Sequence, residues 1–180
     1  WGAAHGPPER IVVGSDNRAG GRLAADYLLG RGRKKLLFLG ETQHGEVEDR
    51  LSGFEVALNG KGAGIVDRIA CAFTVTAGRD AVARLFERGK TFDGIFAAND
   101  AIAMGAIEAV QAHGLSVPDD VSIVGFDDSP GASMFSPKLT SVRQDWAIGG
   151  ELLAQKVLDL VAGGAVESRV MPVDLVVRES

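Results

Sequence analysis

One cysteine, one tyrosine and three histidines in 180 residues are scarce supplies, and each scarcity removes a class of protein. Cys71 is alone, so no internal disulfide can form and nothing demands an oxidising compartment. His5, His44 and His113 are scattered and make no metal-ligand spacing with Cys71, so no metal is expected. Positive charge is also short: 19 basic residues against 24 acidic leave a net charge of -5. An acidic chain has no electrostatic footprint for a phosphate backbone, so this segment itself is not expected to grip DNA. The tightest basic cluster, Arg31, Arg33, Lys34 and Lys35, reads as cations at a helix C-terminus. No apolar run approaches the roughly 20 residues that span a bilayer. Trp1 to Pro8 has neither an initiator Met nor the apolar centre of a signal peptide, and reads as the start of a piece of a longer protein. Nucleotide fingerprints are missing as well. No G-x-G-x-x-G follows a strand pattern, there is no phosphate-loop signature, and no G-x-S-x-G elbow appears, so neither cofactor nor catalysis is expected.

What is present is a regular alternation. Hydrophobic residues make up 46% of the chain and charged residues 24%, enough apolar material for a packed core. The length fits one domain, or one and a fraction. Short apolar runs at Ile11–Val13, Leu36–Leu39, Ile65–Phe73, Gly94–Ala97 and Val121–Val124 alternate with helical patterns. Asp16-Asn17 and Asn99-Asp100 stand where helix caps belong, and Gly30, Gly40, Gly89 and Gly114 stand where elements stop. Strands apolar on both faces, alternating with helices, predict an α/β fold with a doubly wound parallel sheet in three αβα layers. After Gly125 the pattern loosens into a loop from Asp127 to Lys138. A strand at Leu139–Val142, a long helix through Ile148, Leu152, Val157 and Leu160, and a single strand at Val170–Val177 then follow.

In such sheets ligands bind beyond the carboxyl ends of the strands. The polar residues there are Asp16 and Asn17, the Glu41–Glu46 loop, Asn99 and Asp100, Asp127 and Asp128, and Gln144, with Arg50 behind the second loop. Carboxylates, amides and one Arg offer paired acceptors and donors for the hydroxyls of a sugar-like ligand, and Phe73 could pack on a ring. Plainer roles compete: helix caps for Asp16, Asn99 and Asp100, a turn for Asp127 and Asp128, a surface ion pair for Arg50, and core packing for Phe73.

Several segments then resemble one family, the lactose-repressor/galactose-repressor (LacI/GalR) transcription regulators. They are Ser15-Asp16-Asn17-Arg18-Ala19-Gly20-Gly21, Asp49-Arg50-Leu51-Ser52-Gly53-Phe54, and Phe96-Ala97-Ala98-Asn99-Asp100-Ala101-Ile102-Ala103-Met104-Gly105-Ala106. Val117-Pro118-Asp119-Asp120-Val121-Ser122-Ile123-Val124-Gly125-Phe126-Asp127-Asp128 is the most specific, and Pro137-Lys138-Leu139-Thr140-Ser141-Val142-Arg143-Gln144 and Leu175–Ser180 complete the set. The resemblance implies a type I periplasmic-binding-protein-like fold with a complete C-terminal subdomain and a truncated N-terminal one. The implied division is a remnant of the N-terminal subdomain at 1–32 (with the helix Asp16–Leu29), the C-terminal subdomain at 33–143, a crossover helix at 144–164, and a returning strand at 165–180.

It also implies ligand contacts at Asp16, Arg50, Phe73, Asn99, Asp127 and Gln144. Glu46 and Glu48 depart from the family's usual hydroxyl and Arg, so His44 and Glu46 are expected to meet the ligand in a different way. The implied function is sensing of a small polar effector, a sugar by preference, by a cytoplasmic regulator that is not an enzyme. The implied partners are a second copy, docked through the helix from Ala77, the helix carrying Met104 and Ile107, and the Met134–Leu139 segment, and operator DNA through a head outside this chain. The alternative is a periplasmic sugar-binding protein of a transporter.

Overall fold

The computed structural model describes residues 1–3 and 11–180. The first half runs β1 (Val13–Ser15), α1 (Asn17–Gly30), β2 (Lys35–Leu39), α2 (Gly45–Leu58), β3 (Gly64–Ile69), α3 (Val75–Glu87) and β4 (Gly94–Ala97). The second runs α4 (Asp100–Ala112), β5 (Ser122–Asp127), α5 (Pro130–Met134), β6 (Thr140–Arg143), α6 (Trp146–Val161), β7 (Arg169–Met171) and β8 (Asp174–Val176). Six strands form one sheet in the order β3-β2-β4-β5-β6-β8. All its pairings are parallel except β8, which closes the edge antiparallel to β6. The expected doubly wound α/β architecture is what the chain adopts. The central strands are apolar on both faces because helices cover both: Leu36 to Leu39, Ile95 to Ala97 and Ile123, Val124 and Phe126 are fully buried.

The helices pack in two pairs, α1 on α2 and α3 on α4, and glycine sets how close they come. A Cβ on Gly53 would overlap the Arg18 carbonyl, and one on Gly21 would overlap that of Arg50. In the second pair Gly105 meets the Val75 carbonyl and Gly78 that of Ile102. Backbone therefore touches backbone at both crossings, and no larger residue fits there.

Two expectations are corrected. The helix assigned to the 1–32 remnant, α1, lies on the six-stranded sheet, against β4, β5, β6 and β8 as well as α2. Its small face of Gly20, Gly21, Ala24 and Ala25 is buried, with Gly20 seated on the Phe126 ring. Periodicity identifies an apolar face, not the surface that covers it. Residues 4–10 of that segment, His5 among them, lie outside the described residues. The single strand expected at Val170–Val177 is two. β7 pairs in parallel with β1 in a separate two-stranded sheet, and β8 joins the large one. Pro172, which has no N–H for a ladder, stands at the crossing.

Smaller differences concern the loops and ends. The loop after β5 contains the one-turn helix α5, started by Pro130. Helix α6 buries only Gly149 of its residues and rests on β1. The basic cluster has another use than a helix end: Arg33 donates to the carbonyls of Pro118 and Asp119 and to Ser122 Oγ. That latches the start of β2 to the loop before β5.

Candidate functional site

The carboxyl ends of β2, β4, β5 and β6 open on one cleft of about 260 Å³, and seven of the eight expected residues line it. His44 stands at the N-cap of α2, Glu46 lies in its first turn, and Arg50 stands one helical turn further on. Asn99 caps α4 behind β4, Asp127 ends β5, and Gln144 follows β6. Phe73 reaches in from the loop after β3, its ring 5.3 Å from that of His44. Two larger hollows lie elsewhere, about 380 Å³ beside Glu55 and Arg68 and about 390 Å³ on the α3–α4 face near Phe86 and His113. Neither stands at the carboxyl ends of the parallel strands.

Arg50 is the centre of the arrangement. It is 7% exposed, its guanidinium lies 3.6 Å from the centre of the Phe126 ring, Nε donates to Asn17 Oδ1 at 2.9 Å, and Nη1 donates to the Ala98 carbonyl. Burial lowers its pKa to about 10, while Asp127, Glu46 and Asp100 pull the other way. Stacking and two hydrogen bonds offset part of the cost of hiding the charge. Nη2 has no hydrogen bond among the described residues.

Asp127 answers it. Burial raises its carboxyl to about 6, and repulsion from Asp100 adds to that, against the opposing effects of Arg50 and of the hydrogen bond from Gln144 Nε2 at 2.6 Å. Asp127 and Asp128 have φ of 108° and 50°, a region that costs a non-glycine residue energy and concentrates at sites where a side chain must be aimed. What holds the turn is a network behind the cleft. Asp128 accepts from Arg143 at 2.7 Å and Arg178 at 2.6 Å. Asp100, its carboxyl raised by burial, accepts from Ser141 Oγ and the Ser129 amide. Gln144 is 3% exposed, and its Oε1 has no partner. A buried acceptor left unmatched costs about 1–3 kcal/mol, and its residue is one of those that line the cleft.

Asp16 is the exception among the expected residues. It does not line the cleft; its carboxylate caps α1 through the Ala19 amide at 2.8 Å, the plainer of its two readings. Asn99 does both jobs, because Oδ1 caps α4 at the Ile102 amide while the residue borders the cleft. Trp146 and Trp1 were not foreseen. Both line the cleft, with ring centres 4.9 Å apart. Trp146 follows Gln144 by two residues at the end of β6, so the strand-end rule that found Gln144 could have found it too. Nothing local marked Trp1. Asn17, which positions Arg50, was legible as a cap residue and as a polar group after the first strand, but not as the partner of Arg50.

A cleft at the carboxyl ends of the strands is where doubly wound sheets bind their ligands. The family model described as a periplasmic binding protein-like domain matches residues 25–180. The chain belongs to that family, in the branch that LacI-type regulators represent. The HTH-type transcriptional regulator CelR of Thermobifida fusca is 33% identical over 182 residues, covering 97% of this chain and 54% of that protein. A solved CelR–cellobiose complex superposes with a TM-score of 0.89 at 32% identity, covering 98% of this chain and 56% of that one. A dimeric Lac repressor superposes with a TM-score of 0.89 at 26% identity, covering 96% of this chain and 65% of that one. The chain thus spans about half the length of the curated relatives it matches. No helix among the described residues is long and apolar enough to cross a membrane.

Proposed function

We propose that this chain is the sugar-sensing part of a LacI-type transcription regulator and that the strand-end cleft is one wall of its effector site. The observation that carries the reading is the convergence of Arg50, Asp127, Asn99 and Gln144 on one hollow bordered by Trp146 and Phe73. Carboxylate and amide acceptors in pairs suit vicinal hydroxyls, and aromatic faces suit the C–H side of a pyranose or furanose ring. His44 and Glu46 reach the guest from the start of α2. Asp16 acts through α1 and makes no ligand contact.

The six-stranded sheet with α1 to α5 is then one complete lobe, and β1, β7 and α6 are parts of a second. Ile148, Val157, Leu158, Leu160 and Val161 of α6 are exposed, as expected of a helix whose layer lies outside this sequence. A sugar that touches both lobes favours the angle between them that suits it, by as much as its affinity for the two states differs. A second copy docks on the α3–α4 face and the segment around the exposed Met134, and a separate head meets operator DNA. The transporter alternative draws no support from relatives that are regulators.

Calorimetric titration of the intact protein against sugars, polyols, nucleosides and amino acids tests the proposal. Saturable binding of a sugar that Asp127→Ala weakens supports it. Binding confined to another class of compound overturns it.

A further inference from the structure

Counting what the cleft offers a guest narrows the class of sugar. Its free acceptors are Gln144 Oε1, buried and unmatched, and the carboxylates of Asp127 and Glu46. On the donor side, Arg50 has already committed Nε to Asn17 and Nη1 to Ala98, which leaves Nη2; the Asn99 amide adds its Nδ2, the His44 ring an N–H, and Trp1 and Trp146 their indole N–H groups. A hydroxyl both donates and accepts, so it can match either set. A carboxylate or a phosphate dianion only accepts, so where it stands in place of a hydroxyl it cannot match Gln144 Oε1, and it faces two carboxylates.

Charge points the same way. One guanidinium faces Asp127 and Glu46, with Asp100 behind, and all three carboxylates act on it electrostatically. Helix N-termini often recruit anions, and three of them, α2, α4 and α6, reach this cleft. The first two carry their own carboxylates in the first turn, Glu46 and Glu48 on α2 and Asp100 on α4, and α6 is capped by the Asp145 carboxylate, which satisfies the dipoles from within. The place where a phosphate would be held is already occupied by side-chain charge.

We propose that the cleft selects uncharged sugars and rejects sugar acids and sugar phosphates, with Glu46 and Asp127 as the discriminating charges. The inference rests on the sugar-binding reading above. The test is calorimetry on the intact protein at pH 8, with matched pairs: glucose against glucuronate and glucose 6-phosphate, ribose against ribose 5-phosphate, and cellobiose against cellobionate. In whichever series binds, the neutral member is expected to bind at least about tenfold tighter. Raising NaCl from roughly 50 to roughly 500 mM shrinks that gap, because the rim is open to solvent. Glu46→Gln shrinks it several-fold by helping the anion more than the neutral sugar. An anionic member that binds as tightly as its neutral twin overturns this inference alone. A gap that responds neither to salt nor to Glu46→Gln also overturns it. Failure of every sugar, charged or not, overturns the sugar-binding reading and this inference with it.

Discussion

Replacing Asp127 with Asn keeps the shape of the cleft and removes one charge from it. Asn tolerates the positive φ of 108° at this position, and its carbonyl can still accept from Gln144 Nε2, so the backbone has no reason to move. The carboxyl of Asp127 sits at about 6, raised from 3.8 chiefly by burial. Between those values the folded chain holds a proton that the unfolded chain has released, so stability falls as pH rises through the window, and the loss is complete above it. The gap between 3.8 and about 6, at about 1.4 kcal/mol per pH unit, is about 3 kcal/mol. Asp127→Asn lacks this loss. Its stability relative to the wild type is therefore expected to improve by about 3 kcal/mol between roughly pH 3.5 and pH 7, less whatever Arg50 loses with its counter-charge. Urea unfolding of both proteins at pH intervals across that range measures the double difference, in which Asp100 and every other shared group cancels. At neutral pH the same variant should bind its sugar about 10- to 100-fold more weakly, as expected when a hydrogen bond to a charged acceptor is lost. A wild type and variant whose stability curves stay parallel from acid to neutral pH would refute the placement of a buried, ionised carboxylate at this turn.

Three further outcomes follow from the same geometry. Asp16→Ala removes the α1 cap and should cost about 1 kcal/mol in chemical unfolding with no change in sugar affinity; a drop in affinity would restore Asp16 to the site. Gly53→Ala pushes a methyl into the Arg18 carbonyl at the α1–α2 crossing and should destabilise by about 1–3 kcal/mol, which urea midpoints will show. Gly60→Ala, at a site with open space but φ of 72°, serves as its strain-only comparison. Trp146→Ala should weaken binding about 2- to 10-fold, the worth of one aromatic face, and should diminish any sugar-induced change in tryptophan fluorescence.

The layer order and most of the cleft were legible because they rest on local rules. Two-sided apolar strands such as Leu36–Leu39 announce a covered parallel sheet, and the strand-end rule gathers Asn99, Asp127 and Gln144 without any knowledge of contacts. What was not legible depends on long-range packing. The small face of α1 fits either lobe on periodicity alone, and only the Gly21–Gly53 crossing with α2 decides between them. The split of the final strand turns on which sheet each half joins, β1 before Pro172 and β6 after it, and no residue within 170–177 encodes its partner. Asp128 looked like a ligand group from its position, yet its carboxylate is spent on Arg143 and Arg178 from two distant segments. The unmatched Oε1 of Gln144 belongs to the same category: the residue could be named from its strand, but its missing partner could only be seen in three dimensions.

A crystal structure of the intact protein with the tightest-binding sugar of the calorimetric panel tests the central claim most directly. The expected result is a sugar hydroxyl donating to Gln144 Oε1, another within hydrogen-bond reach of the Asp127 carboxylate and Arg50 Nη2, and a ring face against Trp146 or Phe73. A sugar seated elsewhere, with Gln144 Oε1 and Asp127 untouched, would contradict it.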